Sequence, residues 1–212
     1  MNSRPSVIVI GSGGHAKVVV DALLHEGRNV IGITDADPSK NGNKLLGVSI
    51  IGDDAVLDNY NASDIELALG IGTIKANSPR KKIFSTFKSR DFNFATVIHP
   101  SAIIGNEVNI GEGAQILSGA VVHPGATIGM GAIINFGARI DHDCNIGEFA
   151  HIAPGATLSG GTKIGNGAHV GTGASIIQGI TIGAHALVAA GATVVRDVND
   201  NERVAGVPAK LI

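Results

Sequence analysis

Residues 134–170, written in groups of six, read INFGAR IDHDCN IGEFAH IAPGAT LSGGTK IGNGAH V. Every group begins with Ile or Leu, and most groups carry Ala or Cys at the fifth position. A large aliphatic residue recurs at every sixth position from Ile98 to Val194, which makes 17 consecutive occurrences. Such a run marks a structural repeat. Because a period of six fits neither an α-helix nor a long strand, it predicts short strands separated by tight corners.

The repeat also predicts how the corners and the core are built. Each group of six is expected to form one flat face, and three faces close a triangular coil with 18 residues in each turn (3 × 6). Stacked turns then bury the aliphatic residues in columns. Glycines that directly follow large residues, such as Gly129 and Gly147, are expected to supply the corner dihedrals. Cys144 lies at a small inward position, and we interpret it as a packing residue rather than a nucleophile.

The composition excludes several classes of protein. With 44% apolar residues and a net charge of -2, the chain is not disordered. The one short basic run, Arg80–Lys82, is interpreted as a solvated helix face, so no nucleic-acid partner is expected. A single cysteine excludes a disulfide framework and a cysteine-based zinc cluster. Since neither a signal peptide nor a bilayer-length apolar run is found, we expect no membrane insertion and a cytoplasmic location.

The N-terminal part has a different character. Residues 1–97 hold 21 of the 34 charged residues, whereas residues 98–198 hold nine. We therefore divide the chain into an α/β domain at 1–97, a coil domain at 98–198 and a C-terminal tail at 199–212.

The N-terminal domain begins with a nucleotide-binding pattern. A strand, a glycine turn, a helix, a second strand and then Asp35 follow one another, which is the first half of a dinucleotide fold. Backbone N–H groups at such a turn favour phosphate, although the glycines could also serve only to make a tight turn. About 95 residues allow about four strands, which suits a nucleotide or nucleotide sugar and disfavours a complete NAD site and an NAD-linked oxidoreductase. The predicted elements are strands at Val7–Ile10, Val30–Thr34, Val48–Ile51 and Glu66–Gly70, and helices at Ala16–Leu24, Asp53–Asn59 and Pro79–Ser89.

Histidines are the candidate chemical groups of the coil. Asp141, His142 and Asp143 interrupt a coil that is otherwise poor in charge, and imidazole has a pKa suited to general base catalysis. We favour a functional role for His142 over a merely polar surface role. His151 and His169 differ by 18 and should stack on adjacent turns, lining either a ligand or a subunit interface. A metal site is not expected there.

Five features occur together: the turn Gly11–His15, Asp35, the six-residue repeat, the stretch Ile140–Cys144 and the terminal sequence Gly206–Lys210. Together they resemble the hexapeptide-repeat nucleotide-sugar acetyltransferases. This group comprises the bacillosamine-pathway N-acetyltransferases, the perosamine N-acetyltransferases and the sialic acid O-acetyltransferases. The resemblance covers nearly the whole chain. It implies a Rossmann-like α/β half domain followed by a left-handed parallel β-helix, assembled as a homotrimer with acetyl-CoA between neighbouring coils.

The resemblance also implies a set of site residues. His142 would be the general base, and Asp143 the acidic neighbour that raises its basicity. A second family histidine, which contacts acetyl-CoA, matches His151. The nucleotide-sugar site matches Gly13, Gly14, His15 and Asp35.

Spacing adds further candidates for the acetyl-CoA site. Pro154, Thr172 and Ala190 differ by 18 and form a column that could carry the pantetheine arm. Gly160 and Gly161 are candidates for the backbone N–H that stabilises the oxyanion.

The favoured activity is acetylation of the 4-amino group of a nucleotide-linked amino-dideoxy sugar, with UDP as the favoured nucleotide and no metal cofactor. GDP-perosamine N-acetylation and sialic acid O-acetylation are the alternatives within the family. A non-catalytic, nucleotide-binding β-helix protein is the alternative from another class, and the polar Asp-His-Asp interruption counts against it.

Overall fold

The computed structural model of the chain describes residues 4–73 and 79–212. These residues form two compact units. The first comprises residues 4–72 and 79–100, and the second comprises Thr73 and residues 101–212. None of the helices within the described residues has the length and apolar character needed to cross a bilayer.

Over residues 4–72 and 79–100, the first unit contains seven strands and two α-helices, which are β1 (Ser6–Ile10), α1 (Gly14–His25), β2 (Val30–Thr34), β3 (Lys44–Leu45), β4 (Val48–Gly52), β5 (Ile65–Leu69), α2 (Arg80–Lys88), β6 (Asn93–Phe94) and β7 (Val97–Ile98). Six of the strands form a sheet with the order β3-β4-β2-β1-β5-β6. The strands pair in parallel, except that β3 is antiparallel to β4. Helix α1 buries Ala16, Val19, Val20 and Leu23, a spacing that places one apolar stripe on the core side.

Most of the predicted elements of this unit are confirmed, with one change of type. The strand at Val30–Thr34 has the bounds that the sequence indicated. Residues Asp54–Asn59 form a 3₁₀ helix, and the carboxylate of Asp53 accepts a hydrogen bond from the Ala55 N–H at its start. A second 3₁₀ helix spans Pro38–Lys40. The two-residue strands β3 and β6 were not predicted, because two residues are too few to show a period.

The interpretation of Arg80 as solvated is wrong. Only 1% of its surface is exposed, and its guanidinium donates a hydrogen bond to the carbonyl oxygen of Ile71. Arg80, Phe84 and Phe87 follow helical spacing and share the buried face of α2. Burial lowers the pKa of Arg80 to about 9. Only Lys81 and Lys82 of the basic run face solvent.

The second unit is a three-sided coil of two-residue strands. We name its sheets face A, face B and face C. Face A holds β8 (Ile103–Ile104), β11 (Val121–Val122), β14 (Arg139–Ile140), β17 (Thr157–Leu158), β20 (Ser175–Ile176) and β23 (Thr193–Val194). Face B holds β9 (Asn109–Ile110), β12 (Thr127–Ile128), β15 (Asn145–Ile146), β18 (Lys163–Ile164) and β21 (Thr181–Ile182). Face C includes β10 (Gln115–Ile116), β13 (Ile133–Ile134), β16 (His151–Ile152), β19 (His169–Val170), β22 (Leu187–Val188), β24 (Arg203–Ala205) and β25 (Lys210–Leu211).

The 18-residue turn is confirmed by the strand pairing. Val122 pairs in parallel with Ile140, which pairs with Leu158, so each strand lies against the strand 18 residues on. The repeated large residues from Ile116 to Val194 are each at most 3% exposed. Stacking of like aliphatic side chains therefore forms the core, and Cys144 lies within it at 1% exposure.

The corner glycines act differently from the expectation. Left-handed φ values occur at the third corner residue, every six positions from Glu107 to Gly191, and not at the glycines that directly follow the large residues. Gly147, one of the latter, is needed for another reason. A Cβ built on it would lie 2.7 Å from the carbonyl carbon of Gly165 and from the nitrogen of Asn166, in the next turn. These first-position glycines let adjacent turns approach closely.

This steric role gives the first prediction. Gly147→Ala should lower the free energy of unfolding by about 2 kcal/mol, within the roughly 1–3 kcal/mol typical of overpacking. The measurement is the urea midpoint followed by far-ultraviolet circular dichroism. Gly14→Ala is the control, because a Cβ there meets no atom within 4 Å. Equal midpoints for the two variants would contradict the close-approach argument.

Candidate active site

His142 lies in the corner that joins face A to face B, directly after β14. Its side chain is 56% exposed. Its Nδ1 lies 2.8 Å from Oδ2 of Asp143. Because a carboxylate only accepts, Nδ1 carries the proton and donates it, which leaves the lone pair of the neutral ring on Nε2. The hydrogen bond that His142 donates to Asp143, and next the negative charge of Asp141, raise the pKa of His142 above its ordinary value of 6.5.

Asp143 occupies an unusual backbone position. It is the third residue of its corner and has a φ of 58°. The equivalent corner positions are glycine, apart from Glu107, Phe149 and His185. Aspartate tolerates this conformation better than most residues, and such strain is typical of functional sites. The carboxylate lies over Gly125 of the preceding turn, where a Cβ would be 2.6 Å from its Oδ1.

A second acidic group holds the other side of His142. Oδ1 of Asp141 accepts from the backbone N–H of His142 at 2.8 Å and from Nδ1 of His123 at 3.0 Å. These hydrogen bonds, that of His142 first, lower the pKa of Asp141. The sequence reasoning did not pair His123 with Asp141. The signal was present, since the two residues differ by 18 and therefore stack.

Gly160 lies directly against the imidazole of His142. A Cβ on Gly160 would be 2.5 Å from Nε2 and 2.6 Å from Cε1 of that ring. The φ of Gly160 is ordinary, so its lack of a side chain matters for space alone. Among the described residues, no acceptor takes the Gly160 N–H. The unit thus places a basic nitrogen beside an available backbone donor.

A groove of ≈ 210 Å³ runs along face A next to this corner. Its polar lining comes from His123, Arg139, Asp141, Thr157 and Ser159. Nε of Arg139 donates to the hydroxyl of Thr157 at 3.1 Å, which fixes one side of the guanidinium. The groove offers both a cation and a carboxylate to a polar ligand.

His151 lies on a different part of the coil. It is 7% exposed, its Nδ1 donates to the carbonyl of Thr73 at 3.0 Å, and its Nε2 accepts from the amide of Asn135 at 3.0 Å. The ring of His169 stands perpendicular to it at 4.8 Å, as the spacing of 18 indicated. Burial lowers the pKa of His169. Both ring nitrogens of His151 are thus held by the protein, and its contact with acetyl-CoA stays a prediction.

Thr172 and Ala190 lie on the edge that joins face C to face A. The Gly173 N–H donates to Pro154 O at 2.9 Å, and the Gly191 N–H donates to Thr172 O at 2.8 Å, so the predicted column is continuous. Within one chain this edge is separate from the face A to face B edge that carries His142. Within one chain, Thr172 and Ala190 therefore lie away from His142, whereas Gly160 lies against its ring.

The glycine turn and Asp35 meet at the carboxyl ends of β1 and β2. Oδ2 of Asp35 accepts from the N–H of Ser12 at 3.0 Å, from its hydroxyl and from Nζ of Lys40 at 3.0 Å. Burial alone would raise the pKa of Asp35, but hydrogen bonds from Ser12, Asp37 and Lys40 outweigh it and hold the pKa well below its usual range. Asp35 is thus a charged anchor for the turn.

The turn itself is open at its tip. Gly13 and Gly14 are exposed, and a Cβ on either would meet no atom within 4 Å. Helix α1 begins here without a side-chain cap. His15 packs beside Gly72, whose added Cβ would lie 3.3 Å from Cβ of His15. The four predicted residues Gly13, Gly14, His15 and Asp35 therefore flank one turn.

Within residues 4–73 and 79–212, one side-chain cluster has the geometry to hold a metal ion. The ligand atoms of Asp21, His25 and His99 lie within 4.8 Å of one another in the first unit. None of these residues belongs to the His142 corner or to the glycine turn, and no step of the chemistry is derived from them.

A three-sided coil of hexapeptide repeats, with an exposed histidine–aspartate pair at one corner, defines the class of hexapeptide-repeat acyltransferases. Family models agree. The PglD N-terminal domain matches residues 6–87, and the bacterial transferase hexapeptide (six repeats) matches residues 107–142 and 161–196. No protein in the curated set matches the chain.

Solved structures match over the whole length. A variant of perosamine N-acetyltransferase from Caulobacter crescentus, in complex with CoA and GDP-perosamine, is 39% identical with a TM-score of 0.91, covering 99% of this chain and 97% of that chain. The acetyltransferase domain of PglB from Neisseria gonorrhoeae FA1090, in complex with acetyl coenzyme A, is 33% identical with a TM-score of 0.91, covering 98% of each chain. WeeI from Acinetobacter baumannii AYE is 27% identical with a TM-score of 0.87, covering 98% and 99%.

The chain belongs to the hexapeptide-repeat nucleotide-sugar acetyltransferase family, and it is an acetyltransferase. Its coil is the left-handed parallel β-helix of that family, preceded by the Rossmann-like α/β unit. Both features confirm the fold that the family resemblance implied.

The second prediction concerns the fit between Gly160 and His142. Gly160→Ala should push the imidazole out of its position and lengthen its hydrogen bond to Asp143, because the new Cβ would overlap the ring. A crystal structure of the variant measures this displacement. Gln178→Ala, at the same position one turn on, is the control and should leave the ring in place. An unmoved ring in Gly160→Ala would show that the corner has more room than the contact distances indicate.

Proposed function

We propose that this enzyme transfers the acetyl group of acetyl-CoA to the 4-amino group of a nucleoside-diphosphate-linked amino-dideoxy sugar, with His142 as the general base. The observation that carries the proposal is the exposed imidazole whose Nδ1 is held by Asp143. This arrangement leaves Nε2 as the basic atom. Nε2 lies at the Gly160 backbone, beside a groove able to hold a polar ligand.

The proton transfers follow from this geometry. An ammonium group has no lone pair, so the sugar nitrogen first loses one proton to solvent. As the resulting amine attacks the thioester carbonyl carbon, Nε2 of His142 removes a second proton from the nitrogen. Asp143 stabilises the imidazolium that results. When the tetrahedral intermediate collapses, the C–S bond breaks and the sulfur of CoA takes the proton back from His142. The products are the acetamido sugar and CoA, and no acyl-enzyme is formed.

The oxyanion requires a donor, and we assign this role to the Gly160 N–H. This N–H has no acceptor among the described residues, and its residue touches the ring of His142. Removal of one such donor typically costs about 10²–10³-fold in kcat.

We infer a homotrimer because the candidate residues lie on separate edges of one coil. His142 and Gly160 lie on the edge between face A and face B, whereas Thr172 and Ala190 lie on the edge between face C and face A. A neighbouring coil would bring the second edge to the first, with acetyl-CoA in the groove between them. Phe136, which is 53% exposed in the column of Pro154 and Thr172, suits a covered surface. Light scattering that gave a monomer would refute this assembly.

The nucleotide is assigned to the open glycine turn of the first unit, with Gly13, Gly14, His15 and Asp35. UDP stays our prediction for the base. GDP-perosamine is the second candidate acceptor, favoured because the perosamine enzyme binds it and is 39% identical over the whole chain. Structures of that enzyme with one histidine replaced by Asn or Ala hold both CoA and GDP-perosamine, which supports a histidine that is needed for chemistry rather than for binding.

The third prediction tests the base. His142→Asn should lower kcat by about 10²–10⁴-fold with little change in either KM, as loss of a general base does. Turnover is measured with acetyl-CoA and, in parallel, GDP-perosamine and a UDP-linked 4-amino sugar. His185→Asn is the matched control at an exposed corner and should turn over normally. Near-normal turnover of His142→Asn would remove this residue from the mechanism.

The fourth prediction tests the nucleotide site. Asp35→Asn should raise the KM for the nucleotide sugar and leave the KM for acetyl-CoA unchanged. The neutral side chain loses the ion pair with Lys40 and weakens the hydrogen bonds that hold Ser12 in the glycine turn. We expect a rise of about tenfold, the equivalent of one charge-assisted hydrogen bond. Asp58→Asn, an exposed carboxylate paired with Arg90, is the control. A parallel rise in both KM values would argue against a nucleotide site at this turn.

A further inference from the structure

The corner that contains Gly160 is held differently from the corners of the other two edges. At Gly147 and Ala153, for example, the carbonyl accepts from the N–H three residues on, at 3.3 and 3.2 Å. Within the described chain, the Thr162 N–H makes no such bond to Ser159 O. Two side chains take its place.

Those side chains are Thr162 and Cys144. The hydroxyl of Thr162 donates to Ser159 O at 2.6 Å, and the thiol of Cys144 donates to the same oxygen at 3.3 Å. Both residues are buried, at 0% and 1% exposure. Both also lie at the small inward position of their groups, where Ala is the usual residue. Two hydrogen-bonding residues, 18 positions apart, thus converge on one carbonyl.

The peptide between Ser159 and Gly160 transmits this contact to the site. It is trans, so its C=O and N–H point in opposite directions within one plane. Holding the carbonyl toward Thr162 and Cys144 in the core therefore directs the Gly160 N–H outward. The same residue lies against the ring of His142.

We propose that Thr162 and Cys144 are positioning residues that fix the Ser159–Gly160 peptide and so direct the Gly160 N–H at the reacting thioester carbonyl. This inference rests on the proposed acetyl transfer. Thr162 is the stronger of the two donors, because a hydroxyl at 2.6 Å binds a carbonyl better than a thiol does. Neither residue touches substrate. Their effect on the reaction passes through the orientation of one peptide.

The test compares Thr162→Val, which keeps the shape and removes the hydroxyl, with Thr162→Ser, which keeps the hydroxyl. Thr162→Val should lower kcat by about tenfold or more, short of the roughly 10²–10³-fold cost of losing a donor outright. Both KM values should stay within about twofold. Thr162→Ser should approach wild-type turnover. Cys144→Ala should lower kcat less than Thr162→Val and serves as the second variant should the valine protein fold poorly.

A crystal structure of Thr162→Val supplies a readout that does not depend on turnover. The Ser159 carbonyl should rotate away from its wild-type direction. An unmoved carbonyl would overturn the proposal, as would an unchanged kcat or equal losses in the valine and serine variants.

The failure of this proposal and that of the proposed function are distinguishable. The acidic limb of the pH–rate profile should be the same in Thr162→Val and wild type, because the His142–Asp143 pair is untouched; a shifted limb would also count against the proposal. Turnover in His142→Asn would refute the base, while the carbonyl rotation would still decide the role of Thr162.

Discussion

The close stacking of successive turns is the constraint on which the second unit depends. Parallel hydrogen bonds join each strand to the strand 18 residues on, as in the series Val122, Ile140 and Leu158, and fix the spacing of turns at about 4.8 Å. At that spacing a side chain has little room at the first position of a corner, as the contacts of Gly147 with the next turn show. Every residue of the coil is therefore placed relative to its neighbours at intervals of 18, and functional groups are held with the same regularity.

The candidate site consists of local departures from that regularity along one edge. Asp143 stands where most corners have glycine and directs a carboxylate at His142. Gly160 stands where its equivalents have side chains, and the imidazole occupies the space. Thr162 replaces the usual alanine and carries a hydroxyl to a corner carbonyl. Three departures from the repeat thus surround the candidate base His142 with an acidic neighbour and a backbone N–H.

Much of the coil and of the candidate site could be predicted from the sequence, because residues 18 positions apart lie on adjacent turns. The interval of 18 predicted the stacking of His151 on His169, which the structure confirms. The Asp-His-Asp interruption pointed to the candidate site, whose role stays a prediction. The same interval could have paired His123 with Asp141, but only contact geometry shows that they share a hydrogen bond. The different roles of the glycines at the first and third corner positions were not predictable. The sequence pattern does not show whether a glycine is needed for close approach of the next turn or for a positive φ. The burial of Arg80 was not predicted, because Arg80 was considered together with Lys81 and Lys82 as one basic run. Its helical spacing with Phe84 and Phe87 would have placed it on the buried face of α2.

If His142, made more basic by Asp143, removes the proton from the acceptor amine, its protonation state should control the rate. The most direct measurement is kcat/KM for the acceptor from about pH 5 to about pH 9, in wild type and Asp143→Asn, with the pKa of His142 followed by NMR in both proteins. The base must be unprotonated to act, so the acidic limb should lie at the pKa of His142. Asp143→Asn removes the charge that favours the imidazolium, so the pKa and the limb should move together to lower pH. A limb that stayed in place while the pKa of His142 moved would exclude His142 as the base.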